Sequence, residues 1–259
     1  MPKSKHRRKG DKRPVKRSGK NEGQADYRTG QPMVVGQQST NEPLKDMRRC
    51  KFLDRVAQLV DIFSEEECTD IINNALNNWT EQESKVQRDR DGKIEQNFEE
   101  SVDYRNTTLF IPPGPDEMIF SRILGTIMEF NDSENGYGFE IKGLAEPPNL
   151  MRYEAANLSK HKAPGKYDWH IDVGPGPIPS MRKLSYSILM NPGEYEGGDF
   201  VHRVGRMDVG FEAQSKEQGI PVEAGTMILF PSYILHRIAD VTSGTRYSMV
   251  GWVHGNSFK

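Results

Sequence analysis

The chain has 259 residues, 35% of them hydrophobic, enough for one sizeable core with extensions. Its two cysteines, Cys50 and Cys68, are too few for a disulfide framework, and no apolar run approaches the length of a membrane-spanning helix. The net charge of −2 hides an asymmetry: the first 20 residues hold ten Lys or Arg and one Asp, which leaves about −11 for the rest.

A basic arm on an acidic body suggests an anionic partner, RNA or a ribosome, reached through residues 1–20. A solvated tail with no specific partner is the plainer reading, since no aromatic interleaving or zinc-finger spacing supports the first. Residues 1–45 are poor in apolar groups and rich in Gly, Pro, Gln, Lys and Arg, which predicts a disordered basic tail ahead of a folded domain over 46–259. No apolar segment follows the N-terminal charges, so a secretory signal is not expected and a cytoplasmic location is.

Arg55 to Phe63 alternates well enough to predict a strand. Ser64-Glu65-Glu66-Glu67 is a capping box, with Phe63 placed to staple onto Cys68. Cys68, Ile71, Ile72, Ala75, Leu76 and Trp79 then recur at helical spacing. Glu81 to Glu100 is highly charged, with a turn expected at Arg90-Asp91-Gly92; residues 84–100 are either a mobile lid or an ordinary exposed loop. A second helix follows Pro115-Asp116, with Ile119, Phe120, Ile123, Leu124, Ile127 and Met128 on one face and Asn131 near its end. Arg203 to Gln218 is a long polar insertion in the second half. Two helices ahead of a strand-rich half read as an α+β fold, with the helices buttressing the outer face of a sheet.

Trp169-His170-Ile171-Asp172 carries the chemistry. Tyr167, Trp169, Ile171 and Val173 are aromatic or β-branched at alternate positions, as in a strand, and Gly174-Pro175-Gly176-Pro177 ends it. On a strand, residues two apart share a face, so His170 and Asp172 would reach one metal together. His236 follows the apolar strand Gly225–Phe230, closed by Pro231-Ser232. Arg246 follows the turn Thr242-Ser243-Gly244 and opens the strand Tyr247–Val253. Two histidines and one carboxylate form the facial triad of non-haem Fe(II) oxygenases, which leaves metal positions open for other ligands. Alone, a His-x-Asp tripeptide is weak and a single His or Arg is ordinary; the ordered combination in strand context is what points to a metal.

With these residues the chain resembles the Fe(II)/2-oxoglutarate-dependent prolyl 4-hydroxylase-type dioxygenases, especially their bacterial and phage PKHD-type branch. The likeness runs from about Asn149 to Trp252. Tyr153 matches a tyrosine on the strand before the His-x-Asp strand, and Tyr167 an aromatic three residues before the first ligand. Leu184–Asn191 with Tyr195–Phe200 resembles a central hairpin. Arg246 and Trp252 fit an arginine ten residues past the second histidine and an aromatic six later.

The resemblance implies a double-stranded β-helix (a cupin-like jelly roll) with its core at about 149–254. It further implies that His170, Asp172 and His236 hold Fe(II) and that 2-oxoglutarate and O2 are co-substrates, with ascorbate as a stimulant. The distal carboxylate of 2-oxoglutarate would pair with Arg246 and accept hydrogen bonds from Tyr153 and Ser248, while Tyr167 and Trp252 would line the substrate pocket. The implied reaction hydroxylates an unactivated C–H bond, most naturally of a prolyl residue in a protein or peptide, and releases succinate and CO2. Asp172 is present where related halogenases lose the carboxylate. Trp252 stands where nucleic-acid dealkylases carry a second arginine. A free amino acid or other small molecule is the alternative substrate. A non-catalytic jelly-roll binding module is the alternative class, and the intact ligand set argues against it. His161 is expected to be solvent-exposed, His254 at the surface, and His202 to point either toward the pocket or away.

Overall fold

The structure, a computed structural model, describes residues 52–84, 86–90, 93–99, 102–203, 218–219 and 223–257. The proposed tail, the turn at Asp91-Gly92 and nearly all of the 203–218 insertion lie outside the described residues. In chain order the elements are β1 (Ala57–Leu59), α1 (Glu65–Asn78), β2 (Thr80–Glu83), β3 (Val86–Arg90), β4 (Lys93–Glu99), β5 (Arg105–Asn106), β6 (Thr108–Ile111), α2 (Glu117–Asp132), β7 (Asn149–Glu154), β8 (Lys166–His170), β9 (Arg182–Leu189), β10 (Tyr195–Gly197), β11 (Phe200–Arg203), β12 (Gln218–Gly219), β13 (Met227–Pro231), β14 (Leu235–Ile238) and β15 (Val241–His254).

Both helices begin as their caps dictate. The Ser64 hydroxyl accepts from the Glu67 amide while the Glu67 carboxylate accepts from the Ser64 amide, and Asp116 accepts from the amides of Met118 and Ile119. Each cap contributes about 1 kcal/mol. α2 buries Ile119, Ile123, Ile127 and Asn131, four apart, and each isoleucine adds roughly 2 kcal/mol by leaving water. Leu76 and Met128, expected in the apolar stripes, are instead exposed at the margins of those faces.

An eight-stranded sheet runs β1-β13-β9-β15-β7-β6-β2, with β10 added beside β15; a five-stranded sheet runs β12-β11-β14-β8-β5. β3 and β4 pair with each other. The outer face of the large sheet packs Tyr186, Ile188, Met227, Leu229 and Met249 against Cys68, Ile71, Ile123 and Ile127 of the helices. Its inner face, with Met151, Tyr153, Leu189, Ile228 and Phe230, shares a second cluster with Phe200, Ile234 and Ile238 from the small-sheet side. This is the jelly roll, with helices buttressing the large sheet.

Four local expectations are corrected. The strand over 55–63 shrinks to Ala57–Leu59, because Asp61 adopts φ 58° and breaks the extended run. β8 ends at His170, before Asp172. β9 does not form a hairpin with the segment after it: β9 pairs with β13 and β15, whereas β10 joins β15 and β11 crosses to the small sheet beside β14. Thr242-Ser243-Gly244 is no turn; β10 supplies ladder partners and β15 runs unbroken from Val241.

Candidate active site

His170 and His236 are direct register partners on β8 and β14. Between this pair and Tyr167↔Ile238, β8 advances three residues while β14 advances two, a β-bulge. The bulge turns Tyr167 and His170 to one face, where their rings stack with centroids 3.5 Å apart at 13°. It also aims the Asp168 carbonyl at His170 Nδ1, 2.7 Å away, while the Ile234 carbonyl lies 2.9 Å from His236 Nδ1. A carbonyl only accepts, so each Nδ1 carries the proton and each Nε2 keeps a free lone pair.

Asp172 lies just past β8. There β14 has given way to the turn Ser232–Ile234, and the amides of Asp172 and Val173 both donate to the Ser232 carbonyl, at 2.8 and 3.1 Å. Its carboxylate then faces both lone pairs, Oδ1 at 3.6 Å from His170 Nε2 and Oδ2 at 3.7 Å from His236 Nε2. The three donors lie within 4.8 Å of one another. One divalent ion bonded at about 2 Å to each donor spans such gaps. Burial, followed by the proximity of His236, pushes His170 down to about 3, so this imidazole is neutral at neutral pH. Burial works against the Asp172 charge, yet the two imidazoles, a Ser185 hydrogen bond and Arg182 outweigh it and hold the carboxyl below its usual range. A neutral His170 imidazole beside an ionised carboxylate is the donor state a ferrous ion requires.

Arg246, the largest wholly buried side chain among the described residues, pairs in register with Tyr153 of β7. Its Nη1 donates to the Ser248 hydroxyl at 2.9 Å, and its guanidinium lies 5.1 Å from the Tyr153 ring centroid. Nε and Nη2 are buried without partners. A sequestered guanidinium with donors to spare fits an anionic ligand, and 2-oxoglutarate supplies a carboxylate. Gly198 makes room for it: with φ +67°, a Cβ there would stand 2.8 Å from Arg246 Cδ. The Tyr153 hydroxyl contacts the Met151 sulfur at 3.8 Å rather than Arg246.

A cavity of about 720 Å³ joins Tyr153, Tyr167, His170, Asp172, His236 and Trp252; Arg246 and Ser248 are buried and do not line it. Tyr167 therefore braces His170 as well as lining the space, and burial pushes its phenol up to about 12. His202 is buried directly across from His236 on β11. His161 is exposed, as expected. His254 is not at the surface: it is buried, its Nδ1 accepts from the Ala145 amide, and its Nε2 therefore donates to Glu146 at 3.1 Å. The period of β15 carries the signal, since 246, 248, 250, 252 and 254 share a face. Glu146 and Arg182 were not foreseen. Arg182 donates to both Glu146 oxygens, at 2.8 and 2.7 Å, and lies 3.6 Å over the Trp252 ring.

Residues 156–254 match the model of the 2OG-Fe(II) oxygenase superfamily. Curated relatives of the chain are PKHD-type hydroxylases. That of Parvibaculum lavamentivorans is 39% identical over 71 residues, which is 27% of this chain and 28% of the relative. The chain spans less than half the length of the curated relatives it matches. The fold is shared with a Pseudomonas putida prolyl-4-hydroxylase at a TM-score of 0.51 and 14% identity, covering 78% of this chain and 93% of that one. It is also shared with a Trichoplax adhaerens prolyl hydroxylase, solved with a hypoxia inducible factor peptide fragment, at 0.53 and 14%, covering 77% and 83%.

Proposed function

We propose that the chain is an Fe(II)- and 2-oxoglutarate-dependent dioxygenase that hydroxylates an unactivated C–H bond, most readily of a prolyl residue in a protein or peptide. The carrying observation is the convergence of His170 Nε2, His236 Nε2 and the Asp172 carboxylate on one point of a cavity, with Arg246 buried beside the Tyr153 ring that lines it and two of its donors, Nε and Nη2, without partners. When bound, ferrous iron would supply the activation of O2, which is the oxidant: two of its four electrons come from 2-oxoglutarate as that becomes succinate and CO2, and two from the substrate C–H bond.

The protein's own residues bind, orient and shield. His170, Asp172 and His236 would hold the metal from one side, their rings fixed by the Asp168 and Ile234 carbonyls. Arg246 would hold the distal carboxylate of 2-oxoglutarate as a charge-assisted pair, with the Ser248 hydroxyl, already accepting from Arg246, free to donate its own proton. Phe200, Phe230, Ile238 and Val250 give the cavity an apolar floor that keeps water from the reacting centre. At the mouth, Ile171, Val173, Pro175, Ile178, Pro179 and Trp252 offer an apolar rim suited to a pyrrolidine ring and its flanking backbone.

We take 46–259 as the catalytic domain and place it in a reducing cytoplasm, where ferrous iron persists and the free, buried Cys68 stays reduced. No described helix is long and apolar enough to cross a membrane. Residues 1–20 would serve as a salt-sensitive contact to RNA or a ribosome. The test is succinate release by the full chain with Fe(II), 2-oxoglutarate, ascorbate and a panel of proline peptides. Peptide-stimulated succinate supports the reading; none with any peptide, or with free proline, rejects it.

A further inference from the structure

We infer that Arg105 is the receptor for a carboxylate of the substrate, an inference that rests on the reading of the cavity as a dioxygenase site. Arg105 and Arg182 line that cavity, and Arg246 is buried 5.1 Å from the ring of Tyr153, which also lines it. Arg182 is satisfied by Glu146. Arg246 is the natural seat of the co-substrate carboxylate. Arg105 is left over. Its guanidinium lies 4.3 Å from the Tyr167 ring centroid, Nη2 makes only a 3.5 Å contact to the Met151 sulfur, and Nε is buried without a partner. Among the described residues no carboxylate forms an ion pair with it.

Position favours the substrate over the co-substrate. Arg105 lies on β5, the edge strand of the small sheet, in register with Tyr167, whereas Arg246 lies on β15 of the large sheet. The Tyr167 side chain links Arg105 to the His170 ring. An anion seated on Arg105 is therefore anchored one side chain from the metal donors, and its neighbouring C–H bonds are carried toward them. A planar guanidinium selects a carboxylate through two parallel hydrogen bonds. An acidic side chain beside the target residue of a peptide, or the carboxylate of a free amino acid, supplies the same chemistry.

The test is calorimetric titration of the full chain loaded anaerobically with Mn(II) and 2-oxoglutarate. Two probe pairs are used: acetyl-Ala-Pro-Glu-Ala-amide against its Gln counterpart, and L-proline against L-prolinamide. The expected result is that one carboxylate probe binds at least about tenfold more tightly than its neutral mate, and the pair that shows the gap identifies the source. Arg105→Gln closes the gap while 2-oxoglutarate affinity stays within about twofold; Arg105→Lys retains part of it. No gap in either pair overturns the inference, as does an Arg105→Gln variant that loses 2-oxoglutarate affinity and leaves the probes unchanged. Wild-type chain that binds no 2-oxoglutarate at all rejects the parent reading, a result separable from either of these.

Discussion

Arg182 donates from Nη1 to the main-chain carbonyl of Asp172 at 3.1 Å. The same guanidinium grips Glu146 with two hydrogen bonds and covers Trp252, so the loop carrying the carboxylate of the triad and the wall of the substrate mouth share one fastening. Arg182→Ala strands a largely buried Glu146 and should cost about 2 kcal/mol in urea unfolding. It should also weaken Mn(II) binding, because Asp172 loses a tether. Arg182→Lys restores a charge without the fork and should recover less than half of either loss. Equal stability and metal affinity in wild type and the Ala variant would show the fastening to be idle.

Replacing His170, Asp172 or His236 by Ala should remove tight Mn(II) or Fe(II) binding and leave the far-ultraviolet dichroism unchanged. The donors sit at the cavity wall, while the core against the helices involves none of them. Metal titration read by calorimetry or paramagnetic relaxation decides this; stoichiometric binding by any one of the three variants would exclude that residue from the ligand set.

Arg246→Met should move two quantities in opposite directions. The fully buried guanidinium keeps two unpartnered donors when no anion is present, so an apolar side chain of similar length should raise the melting temperature of the ligand-free protein. The affinity for 2-oxoglutarate should fall at least about a hundredfold, the equivalent of breaking a buried ion pair at a cost of roughly 3 kcal/mol. A variant that is less stable and binds 2-oxoglutarate normally contradicts the assignment.

Stability should depend on Glu146 in acid. Burial favours its neutral form, but hydrogen bonds from His254 and Arg182 prevail and hold the carboxyl below the usual range. For a depressed carboxyl the stabilisation is in force above the ordinary value near 4.5 and is lost as pH falls through the lower, folded-state value. The stability difference between wild type and Glu146→Gln should therefore be constant from pH 6 to pH 8, taken here as roughly the range above both values, and shrink below that ordinary value. A difference that widens on acidification would reverse the sign of the shift.

The helices were legible because their signals are local. Ser64 and Glu67 form the reciprocal cap their spacing announces, and Ile119, Ile123 and Ile127 meet the core as their periodicity requires. The triad and Arg246 were legible because residue type, order and spacing are all specific. The clamp of Arg182 on Glu146 was not: the partners are 36 residues apart, and neither belongs to a repeating pattern. His254 was misjudged for a different reason. Its nearness to the chain end outweighed the period-two alternation that placed it on the face of Trp252. The segment after β9 was misread as a hairpin because pairing partners in a jelly roll are distant in sequence, and only the assembled sheets decide them.

The bulge in β8 has a consequence for how this fold can change over generations. Tyr167 and His170 share a face only because β8 holds one residue more than β14 between their two pairings. Removing that residue, or adding another, would rotate the imidazole to the opposite side of the sheet. Within this short window the gene is closed to insertions and deletions. The segment from Ala156 to Pro164, upstream of β8 and outside the ladders, is where relatives can differ in length without moving a ligand.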